Sequence, residues 1–350
     1  MLNGENSTHE FPVILSRGSS IAGCMLLLAF SSFVHAAESC DPVHLTIVTE
    51  SGDKASPQGK AIQRVAELAR EYSQGCVEME TFFQDQLGGP LELNDHLAQG
   101  NIDLLLGWPS SSYDERLSAL HLPYLALNWE DAAKTYGSDG WLSNLMRPIF
   151  LENGLRYMGP FPEGFGGVAT RGAYATTHAE AQRIKVRSSP IFPLPQTLKA
   201  MGYQAVPIDW SETYTSIQTG VVDGDSSNVI YWDYTYFRDL LQYYVHTRHN
   251  FSFFAFLMSQ HSWEALDEQN QEAISRAIDT VAQEQFDGAQ AEDQKWIEKA
   301  QEDGIKYIEP SDSEMADLVK RVRAEVWGGA EGSIGKDLMQ VIRQNASSPD

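Results

Sequence analysis

Arg187 is the residue of this chain best suited to hold an anion. It ends a short run, Ile184-Lys-Val-Arg187, with no catalytic motif beside it. A guanidinium stays charged when desolvated and meets a carboxylate with two parallel N–H donors. The chemistry offered is anion capture, not bond breaking, although spacing alone favours an internal salt bridge. Glu50 follows the first β-rich run, and Trp108 follows the apolar run 102–106. In open α/β lobes, ligands sit at the carboxyl ends of strands. Glu50 would oppose an anionic ligand unless that ligand also carried hydroxyls or an amine; a solvated loop role fits it equally. Catalytic signals are missing. There is no Gly-x-Ser-x-Gly elbow. Ala330-Glu-Gly-Ser-Ile-Gly-Lys336-Asp imitates a phosphate loop but fails at its first and last positions. His246 and His249 could share a metal but have no evident third ligand, so a structural role is expected. No cofactor and no metal is called for.

The elements that must position these residues alternate strand and helix, the pattern of a mostly parallel sheet. Residues 43–49 read as a strand and 58–74 as a helix, with Ala61, Val65, Leu68, Ala69 and Tyr72 at helical spacing. Strands at 77–83 and 102–106 flank a helix at 91–99. One helical pattern covers 129–153. A second lobe opens near residue 161. It contains a helix at 190–201, a strand at 204–208 and a capping-box spacing, Asp209 to Glu212, for a helix ending at Gly220. Val221-Val222 reads as a short strand turned by Asp223-Gly224. The aromatic run 250–259 reads as a strand returning to the first lobe. A helix over 263–302 would span roughly 60 Å, enough to cross both lobes. A strand at 305–309 and a helix at 311–327 close the chain, and the polar tail follows residue 344.

The length of 350 residues suits two lobes rather than one core. A formal charge of −23 argues against nucleic acid and against anionic membrane surfaces. The apolar run 21–33, followed by Val34-His-Ala36-Ala37, has the form of a signal peptide over 1–36 and implies export to the periplasm. It is too short to span a membrane as a helix. Its removal takes Cys24 and leaves Cys40 and Cys76, each just before a strand. In an exported chain such a pair reads as a disulfide; two separate buried thiols are the alternative.

Several fragments, in order, resemble the solute-binding subunit of the tripartite ATP-independent periplasmic (TRAP) transporters, in its dicarboxylate-receptor-like family. They are Phe82-Phe83 with Gln86-Leu-Gly-Gly89, Gln99-Gly-Asn-Ile-Asp103, Leu122-Pro-Tyr-Leu125 with Trp129-Glu-Asp-Ala132, and the segment from Lys185-Val-Arg187 to Gln218-Thr-Gly-Val-Val-Asp-Gly224. The resemblance implies an α/β clam-shell, the two-lobe periplasmic binding protein fold, with a long helix bridging the lobes. Lobe 1 would hold 37–160 with 250–265 and part of the C-terminal region. Lobe 2 would hold 161–249. The bridge would be 263–302, and 303–350 would supply the C-terminal strand, helix and tail. It implies no enzyme activity, a carboxylate clamped by Arg187, delivery to small and large membrane subunits driven by an ion gradient, and a monomer. A ligand-sensing partner of a signalling system is the alternative on the same fold.

Three departures from the family pattern shape the pocket. Gly166 in Gly164-Phe165-Gly166 stands where many members carry a second arginine, so Phe165 and Gly166 are candidate pocket residues. Ser227 and Asn228 stand at or next to the asparagine after Val-Asp-Gly, and either could hydrogen-bond a ligand. Trp210 replaces a common phenylalanine, and Tyr231 and Trp232 open an aromatic run. With volume at Gly166 and added rings, a monocarboxylate with a bulky or aromatic body is expected. Core packing is the plain alternative for each ring.

Overall fold

The structure is a computed structural model that describes residues 40–348. The expected signal peptide and Cys24 lie outside those residues. Within them the chain builds eleven strands: β1 (Val43–Thr49), β2 (Val77–Phe82), β3 (Leu104–Gly107), β4 (Leu155–Phe165), β5 (Val168–Thr170), β6 (Lys185–Ser188), β7 (Gln204–Pro207), β8 (Gly224–Ser226), β9 (Tyr243–Val245), β10 (Phe251–Ser259) and β11 (Lys306–Ile308). They form two sheets, ordered β2-β1-β3-β10-β4 and β11-β9-β5-β8-β6-β7.

In the first sheet, β1 runs parallel to β2 and β3, while β10 is antiparallel to β3 and β4. The helix Pro57–Tyr72 crosses between β1 and β2. Ser56 caps it by accepting from the Gly59 amide, and Ala61, Ile62, Val65, Leu68 and Ala69 are buried. The parallel register pairs Val43 with Val77, which brings Cys40 and Cys76 to the same ends of neighbouring strands. They are joined in a disulfide, with Cα atoms 5.7 Å apart. All four residues of β3 and all nine of β10 are buried, the mark of interior strands covered on both faces.

Only Gly166 and Gly167 separate β4 from β5, so the chain passes from one sheet to the other almost without a loop. The return runs from β9 to β10. The third crossing is the helix Glu268–Glu302, 35 residues and about 52 Å long. Its Ile274, Ala277, Ile278 and Val281 join the core under the first sheet. Its Ile297 and Ala300 join the core of the second.

Several boundaries differ from the sequence expectation. Val221-Val222 is no strand: both amides bond back to the Ser216 carbonyl, closing the helix Thr213–Thr219 behind Gly220 at φ 80°. Gly224 opens β8 instead of turning, because the Ala169 and Thr170 backbone crosses where a side chain would be. Asp209 offers no side-chain cap. The pattern over 129–153 breaks at Gly137 and Gly140 into the helices Trp129–Tyr136 and Trp141–Glu152. The second-lobe helix starts later than its prolines suggested, at Leu194. The long helix starts at Glu268, after a short helix Gln260–Glu264. β11 joins the second sheet. Beyond it, helical segments continue to Asn345, past the end expected at 327.

Candidate functional site

Arg187 sits on β6 with its side chain almost sealed, at 5% exposure. Its Nε donates to the Ile208 carbonyl at 2.8 Å, and one terminal nitrogen donates to Asp225 Oδ1 at 3.3 Å. Its guanidinium lies 5.6 Å from the centre of the Trp210 ring. The other terminal nitrogen has no acceptor among the described residues. The guanidinium is therefore gripped at both outer corners, with its end face left to bond something else.

Asp225 is on β8, fully buried. Burial pushes its carboxyl up, opposed by Arg187. It accepts from Arg187, from the Ser226 amide and from Asn228 Nδ2 at 2.6 Å. These three donors, with the Arg187 charge, oppose the upward push of burial without overturning it. Asn228 also reaches Asp233 Oδ1 at 3.4 Å, while Asp233 Oδ2 is buried without a partner. Burial first, then the Asp225 charge, holds the Asp233 carboxyl well above the usual range.

The first sheet supplies a second pole. Glu50 follows β1 and Trp108 follows β3, adjacent parallel strands ending at the same edge. The Trp108 amide donates to Glu50 Oε1 at 2.8 Å. Burial pushes the Glu50 carboxyl to about 8, the Trp108 bond lowers it and Glu163 raises it. Glu163 owes its aim to a β-bulge: Gly164 pairs with Ser252 and Pro162 with Phe253, which leaves Glu163 unopposed. It accepts from Gln58 Nε2 at 2.8 Å, Trp232 Nε1 at 2.8 Å and Ser252 Oγ at 2.6 Å. Burial outweighs these donors and pushes it to about 7. Between the poles run the indoles: Trp232 lies edge-on to Trp210, with ring centres 6.2 Å apart. Tyr231 packs on Trp232 at 4.9 Å and on Trp296 of the long helix at 5.0 Å.

Arg187, Trp210, Trp232 and Glu163 thus form one chain of contacts, with Asn228 behind Arg187, and the Glu50–Trp108 pair is joined to it only by the charge effect of Glu163 on Glu50. Phe165 does not join it; it packs in the first-lobe core against Trp129 and Phe251. Nor does Gly166 open volume. A side chain there would strike Asn250 Oδ1 and come 2.6 Å from the Ser227 carbonyl. Its position is the tight crossing between sheets. Ser227 holds φ 72° at the same crossing, with its Oγ 3.1 Å from His249 Nε2. His249 Nδ1 meets Thr247 Oγ1 at 2.7 Å. This serine–histidine contact, unseen in sequence, is sealed on all sides and pins the crossing. His246 bonds the Tyr307 hydroxyl at 2.5 Å, so the two histidines face different partners. Arg171 lies beside Gly220. Asp225, Asp233 and Glu163 were missed. The sequence signal for the first was its place directly after the Val-Val-Asp-Gly turn.

Two open grooves border this region. One of about 550 Å³, between residues 129–140 and the long helix, holds none of these residues. Another of about 500 Å³ is lined by Gln58, Glu163, Tyr231 and Trp296, with charges of both signs around them, Lys60, Arg64 and Lys295 among them.

Residues 48–328 match the model of bacterial extracellular solute-binding protein, family 7. The chain belongs to that family. The resemblance to TRAP solute-binding subunits is borne out, and the family 7 chain is a binding protein, not an enzyme. A solute-binding protein of Chromohalobacter salexigens is 26% identical over 270 residues, 73% of this chain and 76% of its own. The ectoine-binding periplasmic protein of Halomonas elongata is 26% identical over 161 residues, 46% of this chain and 47% of its own. The sugar acid binding protein of Advenella mimigardefordensis, solved with galactonate, shares the fold with a TM-score of 0.79 at 21% identity, covering 89% of this chain and all of the other. The two-lobe α/β fold of the family is the one described above. No described helix is long and apolar enough to cross a membrane.

Proposed function

We propose that this family 7 protein is the periplasmic receptor of a TRAP transporter, exported by its N-terminal segment and acting as a monomer. It takes up an organic acid and delivers it to small and large membrane subunits. The observation that carries the ligand class is Arg187. Its Nε is committed to the Ile208 carbonyl and one terminal nitrogen donates to Asp225, so a ligand carboxylate would bond at the terminal nitrogen that has no described acceptor. Trp210 and Trp232 would cover the ligand body, and Glu50 and Trp108 would close over its far end. Lobe closure about the crossings at 166–167 and 246–250 would then bury it.

Calorimetry with a panel of organic acids tests this. Arg187→Ala should weaken any acid that binds by at least about 100-fold, the scale of losing a desolvated guanidinium–carboxylate contact. The double variant Arg187→Ala with Asp225→Asn removes the stranded Asp225 charge, so loss of binding can be told from loss of fold. An acid that binds the double variant as it binds wild type would sink the assignment.

A further inference from the structure

Two buried carboxyls share one cation in the second lobe. Asp225 on β8 is 0% exposed, and Asp233, in the first turn of the helix Ile230–Phe237, is 1% exposed. One side-chain amide holds both: Asn228 Nδ2 lies 2.6 Å from Asp225 Oδ2 and 3.4 Å from Asp233 Oδ1. The only ion pair that either carboxyl makes among the described residues is Asp225 with Arg187, at 3.3 Å. Asp233 Oδ2 is buried without a partner, although the first turn of a helix favours an anion.

The neighbouring elements bring no second positive charge to the pair. From β9 comes Tyr244, whose hydroxyl donates to the Asn228 carbonyl at 2.9 Å. Burial first, then Asp233 and Asp293 of the long helix, push that phenol well up. Asp293 is itself an acid, pushed to about 7 by burial. His249, bonded to Ser227, is pushed down to about 3 by burial and is neutral. Two carboxylates against one guanidinium would leave a negative charge in a space sealed from water, where an unpaired ion is costly. When like carboxyls share such a site, one of them keeps its proton.

We infer that Asp225 and Asp233 form a proton-binding site coupled to Arg187: the pair holds one proton in the free protein, and a carboxylate that bonds Arg187 enters with uptake of a second. The charges balance at each stage. Before binding, one guanidinium faces one ionised carboxyl. The ligand brings a second anion to the same guanidinium, and a proton taken from the buffer neutralises the remaining carboxylate. Affinity therefore falls as pH rises through the range where that second proton is lost, by up to about tenfold per pH unit. This rests on the receptor reading above and adds a regulation to it: an organic acid is held more tightly in mildly acidic surroundings.

Carbon-13 NMR of the protein labelled at aspartate Cγ tests the site without a ligand. Asp225→Asn and Asp233→Asn assign the two resonances by difference. At pH 7 wild type should show a protonated carboxyl at one of them. Asp233→Asn removes the like charge and should leave Asp225 ionised; Arg187→Gln removes the cation and should leave both carboxyls protonated. Circular dichroism checks that each variant is folded. A wild type with both carboxyls ionised at pH 7 overturns the inference, as does an Asp225 resonance that Asp233→Asn leaves unmoved. Calorimetry with galactonate at pH 7, in PIPES and in imidazole, then reads proton uptake from the difference in heat. Uptake should be clear in wild type and at least halved in Asp233→Asn. Glu50 and Glu163 titrate in the same range, at about 8 and about 7, so Glu50→Gln and Glu163→Gln are measured beside it. Uptake that Asp233→Asn leaves unchanged and those two variants abolish overturns the coupling. Galactonate that fails to bind counts against the receptor reading alone, because the NMR result decides the proton site by itself.

Discussion

Glu50 makes the stability of the free protein depend on pH in a direction that can be worked out. Its carboxyl is at about 8 in the fold, chiefly through burial, against 4.5 for the ordinary group. The folded chain therefore holds a proton at Glu50 over a window in which the unfolded chain has lost it. Stability is greatest below 4.5, falls as pH rises through that window and levels off above 8. The full difference of about 3.5 pH units corresponds to roughly 5 kcal/mol. Between pH 5 and pH 7 Glu50 alone removes about 2–3 kcal/mol. For some 300 folded residues that is about 4 °C in Tm. Glu163, pushed to about 7, acts in the same direction. Glu50→Gln keeps an acceptor for the Trp108 amide and deletes the titration. Thermal unfolding at fixed ionic strength from pH 5 to pH 8 should give wild type a falling Tm and Glu50→Gln a distinctly shallower fall. A Tm that rises with pH over that window, or equal slopes in the two proteins, would refute the buried-acid account of this wall.

Two further outcomes concern the scaffold. The disulfide closes a loop with a sequence separation of 36, and replacing either cysteine by serine should cost about 3–4 kcal/mol in urea unfolding. Binding of any ligand at pH 7 should survive that change, because neither cysteine touches the cleft. Gly166→Ala should destabilise by about 1–3 kcal/mol or prevent folding, since the crossing has no room for a methyl group. A Gly166→Ala protein of wild-type stability with enlarged ligand affinity would restore the pocket role expected from its position.

Much of the scaffold was legible because local patterns there agree with tertiary packing. The helix after β1 carries its apolar face at helical spacing, and β3 is an unbroken apolar run between covered faces. The misplaced elements are those whose identity depends on contacts distant in sequence. Val221-Val222 has strand-forming residues, yet the helix end at Gly220 claims their amides. Gly224 looks like a turn until β5 is seen lying against it. The site divides in the same way. Arg187 was readable as a charged donor at a strand end, but its partner Asp225 lies 38 residues on and meets it only because β6 and β8 are neighbours. Glu163 was hidden further. A residue's place in a bulge depends on the register of two strands, and neither strand announces it alone.

That bulge gathers donors from distant parts of the chain onto one carboxylate. Glu163 lies two residues before β4 ends at the crossing, and its three donors come from different parts of the molecule. Gln58 is on the first-sheet helix, Ser252 is on β10, and Trp232 is on the helix Ile230–Phe237 that packs with the second sheet. A carboxylate buried at about 7 is supported by whichever of these donors are in reach. Trp232 is buried in the core under the first sheet, while Ile230, Tyr234 and Phe237 of the same helix join the core of the second. The Trp232 ring also lies edge-on to Trp210, with ring centres 6.2 Å apart. One indole thus links Glu163 of the first sheet to Trp210 beside the second.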